Sequence, residues 1–281
     1  MISRTSLLAI GALAAVAATA PAQQFNGGIP AGWVCTGTCG TLGADGVVSL
    51  APSGGTKYGF VSTVNGVDGT NLSGVGGTGN PTNGSKLLST GFAAAAGDNL
   101  SFNFQFVTSD GAGFADYAWA RVLDASFNQV ALLFTARTAP SGTIVPGFSM
   151  PAPTATLNPT SVPIIGCASS GLCAETVWSP LGGDSGDCFD VGCGHTGWIA
   201  ASYSIAAAGT YFLEFGVTNW NDMLFDTGFA FDGLALNDVP IGGGGEPSTV
   251  PEPATLFLVG TGLVGVAGIA RRYRKRDTEA A

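Results

Sequence analysis

Ser101-Phe102-Asn103-Phe104-Gln105-Phe106 sets three phenylalanines on one side of an extended chain. Successive strand side chains point to opposite faces, so this period of two fits a half-buried strand and not a helix. Tyr211, Leu213, Phe215 and Val217 repeat the pattern. Further short apolar segments lie at 46–50, 57–62, 87–89, 117–123, 130–136, 198–204 and 229–236, divided by Gly, Asn, Asp and Pro. No segment between residues 23 and 240 sustains a helical period; the Ala-rich stretch 92–96 is about one turn long. About nine strands in one body predict an all-β fold, a disulfide-bridged β-sandwich of jelly-roll type. The 44 glycines among 281 residues, about twice the usual share, suit a fold so rich in turns. They follow no G-X-Y period, which excludes collagen. Two stretches break the strand pattern: residues 64–85, nearly all Gly, Asn, Thr and Ser, and the Pro-rich residues 138–163. Loops of that length are uncommon in a compact domain unless they are functional or mobile.

The two ends of the chain differ from the body. Residues 1–22 carry Arg4, a short apolar run and Ala20-Pro21-Ala22, the pattern of a secretory signal peptide with cleavage expected before Gln23. Residues 254–270 form an uncharged apolar run that is expected to cross the membrane as one helix, spanning about 25 Å at about 1.5 Å per residue. Arg271, Arg272, Arg274, Lys275 and Arg276 follow at once, and such a basic cluster stays cytoplasmic, leaving the body outside. The expected organisation is a signal peptide (1–22), a β-sandwich ectodomain (23–240), a Gly-rich tether (241–249) and a sorting and anchor segment (250–281).

Val250-Pro251-Glu252-Pro253 stands just before the apolar run. This block, then a short apolar segment, then an Arg-rich end resembles the PEP-CTERM sorting signal. The resemblance implies an exported protein of a Gram-negative, exopolysaccharide-making host, handled by a membrane exosortase. It implies final placement at the cell surface or in the extracellular matrix, with exopolysaccharide as a partner. The segment 108–117 resembles ectodomains of no assigned activity that accompany PEP-CTERM tails. Phe229-Ala230-Phe231-Asp232-Gly233-Leu234-Ala235-Leu236 looks like the closing strand of extracellular jelly-roll modules, including carbohydrate-binding ones.

Between residues 23 and 250 four bases face 16 acids, a net charge of −12. Such a field repels nucleic acid and attracts divalent cations. The six cysteines lie in three close pairs, Cys35 with Cys39, Cys167 with Cys173 and Cys188 with Cys193, and in an exported chain these read as disulfides. A single histidine and the absence of a C-x-x-C pair argue against zinc.

Hydrolase chemistry finds little support. Gly183-Asp184-Ser185-Gly186 suggests a serine nucleophile, but the one histidine, His195, follows it, and Asp187 replaces the last Gly of G-x-S-x-G. Gly74-Val75-Gly76-Gly77-Thr78-Gly79 fits G-x-G-x-x-G without the flanking strand and helix that a dinucleotide needs. No carboxyl pair can be chosen for glycoside hydrolysis. The expected protein is therefore not an enzyme and requires no cofactor. A structural Ca²⁺ is the one metal the acids suggest, with Asp184, Asp187, Asp190, Asp222 and Asp226 as candidate ligands, and Asp110 and Asp116 framing another Gly loop. Trp178, Trp198 and Trp220 are the candidate glycan contacts, because indole faces stack on sugar rings. An adhesive protein that binds other envelope proteins is the alternative reading.

Overall fold

The computed structural model describes residues 24–139 and 141–242. The expected signal peptide, most of the tether, the sorting block, the apolar run and the basic cluster lie outside the described residues. Among the described residues no helix is long and apolar enough to cross a membrane.

The chain forms β1 (Val34–Thr36), β2 (Thr38–Leu42), β3 (Tyr58–Ser62), β4 (Val67–Asp68), β5 (Pro81–Leu88), β6 (Phe92–Ala94), β7 (Asn99–Thr108), β8 (Tyr117–Asp124) and β9 (Gln129–Arg137). It continues with β10 (Thr143–Val145), β11 (Thr156–Asn158), β12 (Val162–Pro163), β13 (Ile165–Gly166), β14 (Gly171–Leu172), β15 (Asp187–Cys188) and β16 (Gly194–His195). It closes with β17 (Ile199–Ser204), β18 (Gly209–Trp220), β19 (Thr227–Leu236) and β20 (Val239–Pro240). Two short 3₁₀ turns, Ala174–Thr176 and Ser179–Asp184, are the helical content among the described residues.

Four antiparallel pairs nest inside one another: β8 with β9, β7 with β17, β5 with β18 and β3 with β19. Folding this nest over places β5-β18-β8-β9 in one sheet and β17-β7-β19-β3 in the other. That order is a jelly roll, as the strand pattern predicts. The extra strands add to these sheets: β1, β4 and β6 to the first, and β2, β11, β13, β16 and β20 to the second.

The strand periodicity explains the core. Phe102, Phe104, Phe106, Phe229 and Phe231 face inward from one sheet and Leu213, Phe215 and Val217 from the other, all within 2 % of full burial. Phe215 stacks on Phe231 with ring centroids 4.0 Å apart, and Phe104 meets Phe134 at 3.5 Å. Outside the sandwich, Trp119 lies over Gly216 and Trp178 over Gly228, where any side chain would collide with the indole.

Several boundaries depart from the sequence pattern. Residues 46–50 form no strand; Asp45 and Val48 make an isolated bridge, and Val47 N–H donates to the Val177 carbonyl instead. Residues 64–85 hold β4 and most of β5, because pairing with β18 overrides the weak strand propensity of Asn, Gly and Ser. The Ala-rich stretch is extended as β6, paired with the start of β18. The Pro-rich stretch contributes β10, β11 and β12.

Arg137, 1 % exposed at the end of β9, fastens both long stretches. Its Nε donates to the Ala115 carbonyl at 2.9 Å, and Nη1 reaches the carbonyls of Gly76 and Phe148. Its guanidinium lies 4.3 Å from the Trp220 ring and 4.8 Å from the Phe148 ring. Burial lowers its pKa, and the neighbouring Tyr117 and then Asp116 oppose that fall.

All three nearest-neighbour disulfides form. Cys35–Cys39 joins β1 in one sheet to β2 in the other, across Gly37 at φ +79°, so it staples a corner of the sandwich.

Candidate functional site

The inward row of β7 changes chemistry after Phe106: Thr108 follows, then Asp110 just beyond the strand. The inward row of β18 changes likewise, from Val217 to Asn219, and that of β19 from Phe229 to Thr227. Asp116 precedes β8. One end of the inter-sheet space is thus lined by Thr108, Asp110, Asp116, Asn219 and Thr227, each buried to within 1 %.

Most of these groups satisfy one another. Trp220 N–H donates to Asp116 Oδ1 at 2.7 Å, and Thr227 Oγ1 donates to Asp116 Oδ2 at 2.5 Å. The Thr108 and Thr227 hydroxyls are 2.7 Å apart, and Asp110 N–H donates to Thr108 Oγ1. Gly111 N–H donates to Asp110 Oδ1 at 2.6 Å. Burial, and next the neighbouring Asp110 charge, hold the Asp116 carboxyl well above the usual carboxylate range. Burial pushes Asp110 up to about 8, with the charges of Asp222 and Asp184 adding to the rise.

The loop between β18 and β19 covers this end. Asp226 takes Thr63 Oγ1 on its carboxylate at 2.7 Å, and Ser109 Oγ donates to its carbonyl. Its own N–H donates to Asp184 Oδ2 at 2.9 Å. Burial first, and the Asp184 charge, raise its pKa to about 6, against hydrogen bonds from Thr63 and Asn219. Outside lies an open cleft of about 640 Å³ lined by Asp68, Gly69, Pro81, Thr82, Asn221, Asp222, Met223 and Leu224. Met223 and Leu224 are more than 60 % exposed.

The structure brings together only part of the sequence-predicted metal set. Asp184, Asp222 and Asp226 share this end of the sandwich. Asp187 is used in the pairing of β15 with β14, and exposed Asp190 accepts from Val191 N–H. No three carboxylates of the five place oxygens within 4.8 Å of one another; the one compact group among the described residues is Cys167, Cys173 and Glu175, whose sulfurs are already bonded to each other. Asn219 was not a sequence candidate. The signal was present nonetheless: it is a polar residue in the inward register of Leu213, Phe215 and Val217.

The tryptophans also differ from expectation. Trp178 is fully buried, and its Nε1 donates to the Tyr58 hydroxyl. Trp220 is 3 % exposed, sits under Arg137 and donates to the Thr78 carbonyl. Half-buried Trp198 donates to the Ser49 carbonyl. An indole offers more area to a core than other side chains do, and glycines leave room for it, Gly228 under Trp178 and Gly79 beside Trp220, so these rings anchor loops and sheets. The suspected serine–histidine pair has other partners. Ser185 Oγ accepts from Trp178 N–H, and His195 Nδ1 accepts from Gly197 N–H.

The PEP-CTERM protein-sorting motif matches residues 249–275. It marks an exported, surface-sorted protein and implies processing by an exosortase-type enzyme. A comparison with curated proteins found no match. Among solved structures, the K1 cleaved adhesin domain of Lys-gingipain from Porphyromonas gingivalis W83 is 14 % identical, with TM-score 0.34, covering 76 % of this chain and 95 % of its own. TmCBM61 in complex with β-1,4-galactotriose is 10 % identical, with TM-score 0.32, covering 73 % and 88 %. The jelly-roll assignment stands on the strand topology itself.

Proposed function

We propose that this is a non-catalytic protein of the cell surface or extracellular matrix that associates with exopolysaccharide. The observation that carries the reading is the sorting motif on a chain whose cleft sets the polar side chains of Asp68, Thr82, Asn221 and Asp222, suited to hydroxyl groups, beside the apolar Pro81, Met223 and Leu224. Recognition runs through hydrogen bonds at the cleft rather than through stacked tryptophans. The apolar run 254–270 holds the chain in the inner membrane until the exosortase acts, with the basic cluster on the cytoplasmic side. No cofactor enters this reading.

The test is retention of the exported full chain on the host's own exopolysaccharide. The wild type is retained, and Asp68→Ala with Thr82→Ala is not. Equal retention of both, or none of the folded wild type, overturns the reading. A second reading, adhesion to other envelope proteins, is favoured by the exposed pair Met223 and Leu224 in the wall of the cleft. Met223→Ser with Leu224→Ser would then abolish protein capture, whereas Asp68→Ala with Thr82→Ala would leave it intact.

A further inference from the structure

Two oxygens at the polar end of the sandwich have no partner: Asp110 Oδ2 and Asn219 Oδ1, both fully buried. A buried acceptor without a donor costs about 1–3 kcal/mol, more if charged, so each such group calls for an explanation. They sit in one neighbourhood. The Asn219 side chain hydrogen-bonds Asp226, Asp226 N–H binds Asp184, and Asp110 feels the charges of Asp184 and Asp222. Four carboxyl groups and the Asn219 amide therefore share one neighbourhood. No positive side chain offsets them: among the described residues the salt bridges are those of Lys86 and Arg121 to Glu214, on the outer face of the other sheet. Asp116 stands apart, since both its oxygens are already bonded.

We infer that this end of the jelly roll is a Ca²⁺ site, with Asp110 Oδ2, Asn219 Oδ1 and the Asp226 carboxylate as ligands and Asp184 and Asp222 supplying further charge. The donors are all oxygen, which selects a hard cation over zinc or copper. Their mixed, loop-borne arrangement suits the six to eight flexible ligands of Ca²⁺ better than the strict octahedron of Mg²⁺. Opposed ligands on Ca²⁺ stand about 5 Å apart, so the carboxylates need only surround the ion and not touch one another. The ion would tie the 221–226 loop to the end of β7 and so hold the rim of the cleft. It differs from the sequence-predicted set by losing Asp187 and Asp190 and gaining Asp110 and Asn219.

The full chain, exported with its disulfides intact and purified in mild detergent, is stripped with EGTA and melted at neutral pH with and without Ca²⁺. At about 100 times Kd the melting temperature rises by about 5–10 °C. Terbium alone then luminesces through the nearby Trp220 and Tyr117, and Ca²⁺ displaces it. Asp110→Asn weakens Ca²⁺ at least about tenfold, and Asn219→Asp, which adds a charge, tightens it by about the same factor. Asp190→Asn leaves affinity unchanged. An unchanged melting temperature up to about 10 mM Ca²⁺, well above the weakest extracellular sites, overturns the inference. So does an Asp110→Asn chain that binds as the wild type does. Should that variant not fold, wild-type titration and Asn219→Asp decide alone. No polysaccharide enters the assay, so this result and the retention result fail independently.

Discussion

The same strands line two different interiors. In the middle of the sandwich β7, β18 and β19 present Phe102, Phe104, Phe215, Phe229 and Phe231 to one another. A few residues further along they present Thr108, Asn219 and Thr227, with Asp110 and Asp116 between the sheets. The aromatic part is what a sandwich needs: apolar area removed from water contributes roughly 25 cal/mol per Å². The acidic part works against folding, since burial raises the pKa of both aspartates. A sequence able to place Phe at 104 and 106 could have continued with apolar residues. Polar groups retained at such a position mark function rather than stability.

That contrast can be broken first at its aromatic side. Phe104→Ala removes a ring packed on Phe134 and Phe229 and is expected to cost about 3–5 kcal/mol in chemical denaturation. Arg137→Met tests the pin between the regions. Losing its stacking and leaving carbonyls of Gly76, Ala115 and Phe148 without a donor should cost about 3 kcal/mol. Limited proteolysis should then cut within 64–85 and 138–163, and no new cleavage would refute the pin.

Asp232 sharpens the comparison, because it is a buried carboxyl far along β19 from the acidic end. Burial raises it to about 6, against hydrogen bonds from Gly233 and Ser53. The folded form then holds a proton that the unfolded chain has released. Stability from this group is full below about pH 4, falls as pH rises towards 6 and is gone above it. Asp232→Asn should therefore gain up to about 3 kcal/mol over the wild type at neutral pH and nothing in acid, read from melts across that range. A constant difference with pH would contradict the shift. The smallest expected effect is at the corner: Cys35→Ser with Cys39→Ser opens a five-residue loop and should cost about 2 kcal/mol, without altering polysaccharide retention.

How much of this could be read beforehand varies with the physics involved. The long strands were legible from their period of two, and the disulfides from three tight cysteine pairs. Segment 81–86 was not, because Pro81, Asn83, Gly84 and Ser85 favour turns and become a strand only through pairing with β18. The tryptophans misled for a related reason: a ring near a turn reads as exposed until the loops that bury it are placed.

The sequence alone determined an all-β exported protein, since alternation, cysteine spacing and the sorting block are local features that need no partner in space. Tertiary structure decided which polar residues share the space between the sheets. Asp110, Asn219 and Asp226 lie on separate segments, and only the nested pairing of eight strands brings them to the same end of the sandwich.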